Sequence, residues 1–175
     1  MGNPQSRFIS ALDRTLVQAT LTRPDNTTAY AAGDVIADKA TEPSVASIVV
    51  GRVSGGGGII RSAKVVGSAN QATKADLEIW LFSVEPTAME DNAAFDPTDA
   101  ELLKLVAILD MGSTPTEGNV GSGADGNVVY QKGDLAVPFA CAPSDQNLYW
   151  VLVVRNSYTP VAQEALTLIL GVERD

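Results

Sequence analysis

"GRVSGGGGIIRSAKVVG", residues 51–67, is the stretch whose reading decides the fold. Four consecutive glycines, Gly55 to Gly58, separate two runs rich in β-branched residues. A phosphate-cradling loop needs Gly-x-x-x-x-Gly-Lys followed by Ser or Thr, opening a helix. Here Ile59 follows Gly58, and the residues after it read as a strand. A dinucleotide loop also needs a helix N-terminus at this place to meet the pyrophosphate. The stretch therefore reads as a turn between strands, with glycines that accept positive φ and let another backbone come close.

Outward from this turn the apolar pattern has period two. In "ADLEIWLF" (75–82), Ala75, Leu77, Ile79 and Leu81 share one face, while Trp80 and Phe82 lie on the other with Asp76 and Glu78. "ALTLILGV" (165–172) alternates in the same way. "SVASIVVGRV", "IIRSAKVVG" and "NLYWVLVVRN" are β-branched or aromatic runs of strand length, and "TLVQATL", "AVPFA" and "NVVYQKG" are shorter versions. Together they predict about eight to ten short strands with turn signals between them, an all-β, jelly-roll-like β-sandwich. One stretch departs from the pattern. Pro97, the acidic residues beside it, and Leu102, Leu103 and Val106 at helical spacing predict a short helix over 98–104, followed by a strand.

The expected organisation is an N-terminal arm over 1–14 and one β-sandwich domain over 15–175. Phe8, Ile9 and Leu12 are the arm's sizeable apolar anchors after Met1, and an arm of this kind orders by docking on something. The 111–127 stretch, rich in Gly, Ser, Thr and Asn, reads as a long loop. Trp80 and Phe82 make one strand apolar on both sides, which marks them as candidate partner contacts. The alternative is that the 91–104 segment covers them.

Composition narrows the function classes. The 175 residues carry a formal net charge of −9, with 45% hydrophobic and 19% charged residues. Twelve scattered Lys and Arg supply no basic face for nucleic acid or for an anionic membrane. No apolar run approaches the ~18 to 20 residues that span a bilayer. The chain contains no histidine, so Ser-His and Cys-His nucleophile pairs are excluded. Its single cysteine, Cys141, reads as a buried structural thiol. No catalytic residue, cofactor or metal ligand is expected. The carboxylates Glu90, Asp91, Asp96, Asp99 and Glu101 lack the spacing of a calcium loop and read as a helix start capped by Asp96 or Thr98. "GSGADGN", with Asp125, is a weaker oxygen-ligand candidate.

Five stretches carry a resemblance: "TRPDNTTAYAAGDVI", "GRVSGGGGIIRSAKV", "LEIWLFSVEPT", "DNAAFDPTDAEL" and "LYWVLVVRNSYTP". In wording and order they resemble the small jelly-roll cement, or decoration, proteins of tailed-bacteriophage capsids. The likeness runs from about Leu21 to Gly171 and leaves out the arm. It implies a β-sandwich on the outer surface of the virion head that bridges neighbouring major capsid proteins. A bridging protein placed on a two-fold or three-fold axis of such a lattice shares its symmetry, so a homo-oligomer, a dimer or trimer, is expected. The alternative function is a glycan- or host-binding module of a tail or head fibre. The missing lysine after the glycines and the acidic balance predict that neither ATP nor duplex DNA binds at micromolar concentration and physiological salt. Fluorescence titration of the purified chain checks this.

Overall fold

The computed structural model describes residues 13–69, 71, 73–112 and 127–175. These residues form two antiparallel five-stranded sheets packed face to face. The first holds β1 (Asp13–Thr22), β10 (Ala165–Arg174), β4 (Gly57–Gly67) and β7 (Val128–Lys132) in that order, with β8 (Val137–Ala140) also paired to β4. The second holds β2 (Val35–Ile36), β9 (Asn147–Val154), β5 (Leu77–Phe82) and β6 (Leu105–Gly112), with β3 (Ala46–Val49) also paired to β9.

β2 and β3 lie along one strand, β9, and β7 and β8 lie along another, β4. Each short pair acts as one interrupted strand. Merging them leaves eight strands, ordered 1-8-3-6 in one sheet and 2-7-4-5 in the other. That is the jelly-roll arrangement, in which every connection but one passes from sheet to sheet. The exception joins β5 to β6 within the second sheet.

The core follows from the alternation. Leu77, Ile79 and Leu81 of β5 face inward and pair with Val154, Leu152 and Trp150 of β9. Leu166, Leu168, Leu170 and Val172 of β10 meet them from the first sheet, and Cys141 is buried among them. The glycine stretch is half turn, half strand. Gly55 has φ +71, a left-handed conformation that favours glycine. Gly58 already lies in β4, where a Cβ would come within 2.1 Å of the Glu173 carbonyl oxygen. The expected helix is one turn, α1 (Asp99–Leu102), and the strand expected after it is β6. Thr98 is its N-cap in a capping box with Glu101, which resolves the choice between Asp96 and Thr98.

At one end of the sandwich sits a buried ion pair. Arg23 and Asp91 lie 3.0 Å apart, with side chains 0% and 1% exposed. Asp91 Oδ1 accepts from the Tyr30 hydroxyl at 2.6 Å and the Ala37 amide at 3.0 Å, and Oδ2 accepts from Arg23 Nη2. Arg23 also donates to the Tyr30 oxygen and, through Nη1, to the Val161 carbonyl at 3.1 Å. Tyr30 stacks on Tyr158 with ring centroids 6.1 Å apart. The Tyr158 hydroxyl donates to the buried Glu164, whose carboxyl burial pushes above its usual range.

Removing one member strands the other as an unpaired buried charge. Asp91→Ala is expected to cost about 3–5 kcal/mol in urea unfolding, and the double variant Arg23→Met with Asp91→Leu to recover part of that loss.

Candidate functional site

The surface that holds the sequence-predicted contacts is the outer face of the second sheet. Glu78, Trp80 and Phe82 of β5 project there, paired with Val153, Val151 and Tyr149 of β9. On the other side they pair with Asp110, Ile108 and Leu105 of β6. A register shift between Leu81 and Phe82 leaves Val106 as the extra residue on β6.

Part of this face is covered by the chain's own connection from β5 to β6, residues 83–104. Phe95 meets the Trp80 ring edge-on at 4.8 Å. Backbone bonds stitch the connection to β2 and its flanks: Val35 N to Ala93 O, Asn92 N to Val35 O, and Phe95 N to Gly33 O. Trp80 is half-buried, and its Nε1 donates to Glu78 Oε2 at 3.0 Å. Phe82 is fully buried and has no exposed surface in the isolated chain. Phe95, from the 91–104 segment, thus touches the Trp80 ring, which stays half-buried. Phe8, Ile9 and Leu12 lie outside the described residues.

Val84, Leu102 and Leu103 of the covering segment are exposed, as are Leu16, Val49, Val53, Ile108 and Val161 elsewhere on the chain. Leu103 is 84% exposed, and Leu102, Val84 and Ile108 are exposed beside it in the sequence or across the sheet. Val84 and Leu103 flank the Ser83–Lys104 pair, in which Ser83 N and Oγ both donate to the Lys104 carbonyl. Ile108 stands opposite Trp80. Sequence reasoning took Leu102 and Leu103 as the apolar stripe of a helix. In the event α1 has no buried residue.

Charge rims this apolar ledge. Glu78 pairs with Arg155. Glu101 Oε1 accepts from the Thr87 amide, and Oε2 from the Thr98 amide and hydroxyl. These bonds, that from Thr87 first, hold the Glu101 carboxyl down at about 2. The carboxylate cluster seen in the sequence is therefore divided. Asp91 spends both oxygens inside the fold, while Asp99 and Glu101 serve the first turn of α1. Among the described residues no group of three or more His, Cys, Asp or Glu could hold a metal ion. Asp125 lies outside them. What this surface offers is apolar contact edged by fixed charges, an arrangement suited to binding a protein.

No family model matches the chain. No curated protein matches it either. Among solved structures, a chain of the cyanophage Pam1 capsid asymmetric unit is similar, at 8% identity and a TM-score of 0.39 over 99% of this chain and 96% of that one. A likeness at that level does not establish a common fold and carries no functional argument.

Glu101 ties the covering segment to itself, and its contribution has a defined pH window. A carboxyl held at about 2 against an ordinary 4.5 contributes stability that is full above 4.5 and lost as pH falls toward 2. The difference in urea midpoint between the wild type and Glu101→Gln is expected to be largest above pH 4.5 and to close as pH approaches 2. Denaturation series at fixed pH values measure it.

Proposed function

We propose that the chain is a bacteriophage capsid decoration protein. In this reading it lies on the outer surface of the virion head and bridges neighbouring major capsid proteins. It acts by adding buried contact area that resists the pressure of packaged DNA. One observation carries the reading. Stretches that resemble capsid cement proteins, far apart in the chain, converge on a single buried network: Arg23 and Tyr30 from the first, Asp91 from the fourth and Tyr158 from the last. The likeness thus follows the residues that hold one end of a jelly roll together.

The exposed ledge of Val84, Leu102, Leu103 and Ile108 supplies the contact. A specific interface needs roughly 800 Å² from each partner, more than one ledge on one small domain provides. Joining copies as a dimer or trimer multiplies weak contacts through effective concentration. Such an oligomer would share the symmetry of the lattice axis it occupies. Leu103, rather than the buried Phe82, is the residue such contacts would use.

Two measurements test the proposal. Labelled imaging and copy counting on purified particles should place on the order of hundreds of copies over the head shell, as a repeating lattice requires. A handful of copies at the tail would overturn it in favour of a host- or glycan-binding module. Leu103→Asp should weaken binding to heads lacking the protein by about tenfold or more, with the thermal midpoint of the free chain unchanged.

A further inference from the structure

Among the described residues nothing covers the outer face of the first sheet at a groove of about 280 Å³ between Arg14 and Leu16 of β1, Arg61 of β4, and Gly171 and Glu173 of β10. Three features shape it. The first is a bulge. Gly171 pairs with Ser62 and Val172 with Ile60, so Arg61 is the extra residue on β4. Ile60 and Ala63 are both fully buried, which leaves Arg61 and Ser62 together on the outer side. Bulges re-aim side chains in this way. The second is Gly171. A Cβ there would come within 2.4 Å of Ser62 Oγ, so the glycine leaves the floor bare beside Leu16, which is 73% exposed.

The third feature is Glu173. Its side chain is 4% exposed, and it holds two guanidinium groups side by side. Oε2 accepts from Arg61 Nε at 2.8 Å and pairs with Nη2 at 2.7 Å, while Oε1 pairs with Arg14 Nε at 2.7 Å. A guanidinium carries five N–H donors in a fixed fork. Glu173 engages Arg61 through Nε and Nη2 and Arg14 through Nε, and the Arg14 and Arg61 side chains remain 79% and 45% exposed. Two cations against one carboxylate leave the lining positive in a chain of net charge −9.

We propose that this groove binds a segment of a partner protein that presents a carboxylate beside an apolar side chain. The carboxylate takes the outward N–H groups of Arg14 and Arg61, for which arginine's planar fork is matched. The apolar side chain lies over Gly171 against Leu16. Glu173 is a positioning residue: it fixes the spacing of the two cations and does not touch the ligand. The inference rests on reading the chain as a partner-binding protein, and it names the partner's chemistry. Its test uses the free chain alone, so its failure is distinguishable from failure of the particle experiment.

The probe is N-acetyl-leucine, which joins one carboxylate to one apolar side chain, with N-acetyl-leucinamide and acetate as controls. Amide spectra of the ¹⁵N-labelled full chain follow the titration. N-acetyl-leucine is expected to shift the Leu16, Gly171 and Val172 signals with about low-millimolar affinity, the scale for a ligand of its size. Each control should bind about tenfold more weakly. Arg14→Gln, at an exposed position that leaves the fold intact, should lower the affinity about fivefold. Equal binding by the amide would show the cations to be unused. Equal binding by acetate would show the same of the apolar floor. Either result, an unchanged affinity in Arg14→Gln, or the absence of shifts at the groove overturns the proposal.

Discussion

The buried pair of Arg23 and Asp91 is the constraint from which much of the second sheet follows. Taking both charges out of water costs several kcal/mol per ion, a cost offset only when every remaining donor and acceptor is met. Here the partners come from separate parts of the chain: the Tyr30 hydroxyl, the Ala37 amide and the Val161 carbonyl. Those segments must therefore stand at fixed positions together. With Asp91 anchored, residues 92–95 run beside Val35 and bond to its backbone on both sides. Phe95 is then delivered onto Trp80. A pair of this kind contributes little net stability compared with apolar residues of the same volume.

The jelly-roll order makes the two outer faces unequal. Every connection but one must travel from one sheet to the other. The connection from β5 to β6 joins neighbours in the same sheet and is free to fold back over that sheet's outer face. It does so, and the exposed leucines ride on it. Connections carried on a rigid scaffold are where binding residues concentrate. Among the described residues no such segment lies over the Arg14, Arg61 and Glu173 cluster on the first sheet, and its small residues and bulge leave a concavity there instead. The molecule thus offers two chemically different surfaces on opposite sides: an apolar ledge, and a groove edged with arginine.

Much of the fold was legible locally. Alternation in "ADLEIWLF" and "ALTLILGV" places Leu77, Ile79, Leu81 and the β10 leucines on buried faces because side chains on a strand point alternately to its two sides, whatever lies elsewhere. The glycines at 55–58 announced a turn, and Pro97 with the acidic residues beside it announced a helix start, capped by Asp96 or Thr98, through the conformations and hydrogen bonds available to a few consecutive residues. The same local reasoning could assign Trp80 and Phe82 a face but could not say whether that face was open. Its cover comes from residues 83–104, held by an anchor at Asp91 that is 68 residues from Arg23.

The sequence by itself determined which segments are strands, where the glycine turn lies, and that the chain holds no histidine. Only the tertiary structure decided the strand order, the bulge that turns Arg61 toward Glu173, and the pairing of Arg23 with Asp91. It also decided which apolar residues remain outside: Leu16 and Leu103 are exposed while Phe82 is buried. The division has one physical reason. Backbone periodicity and capping act over a few residues and are written in neighbouring letters. Burial and charge pairing depend on which distant segments the sheet topology brings into contact.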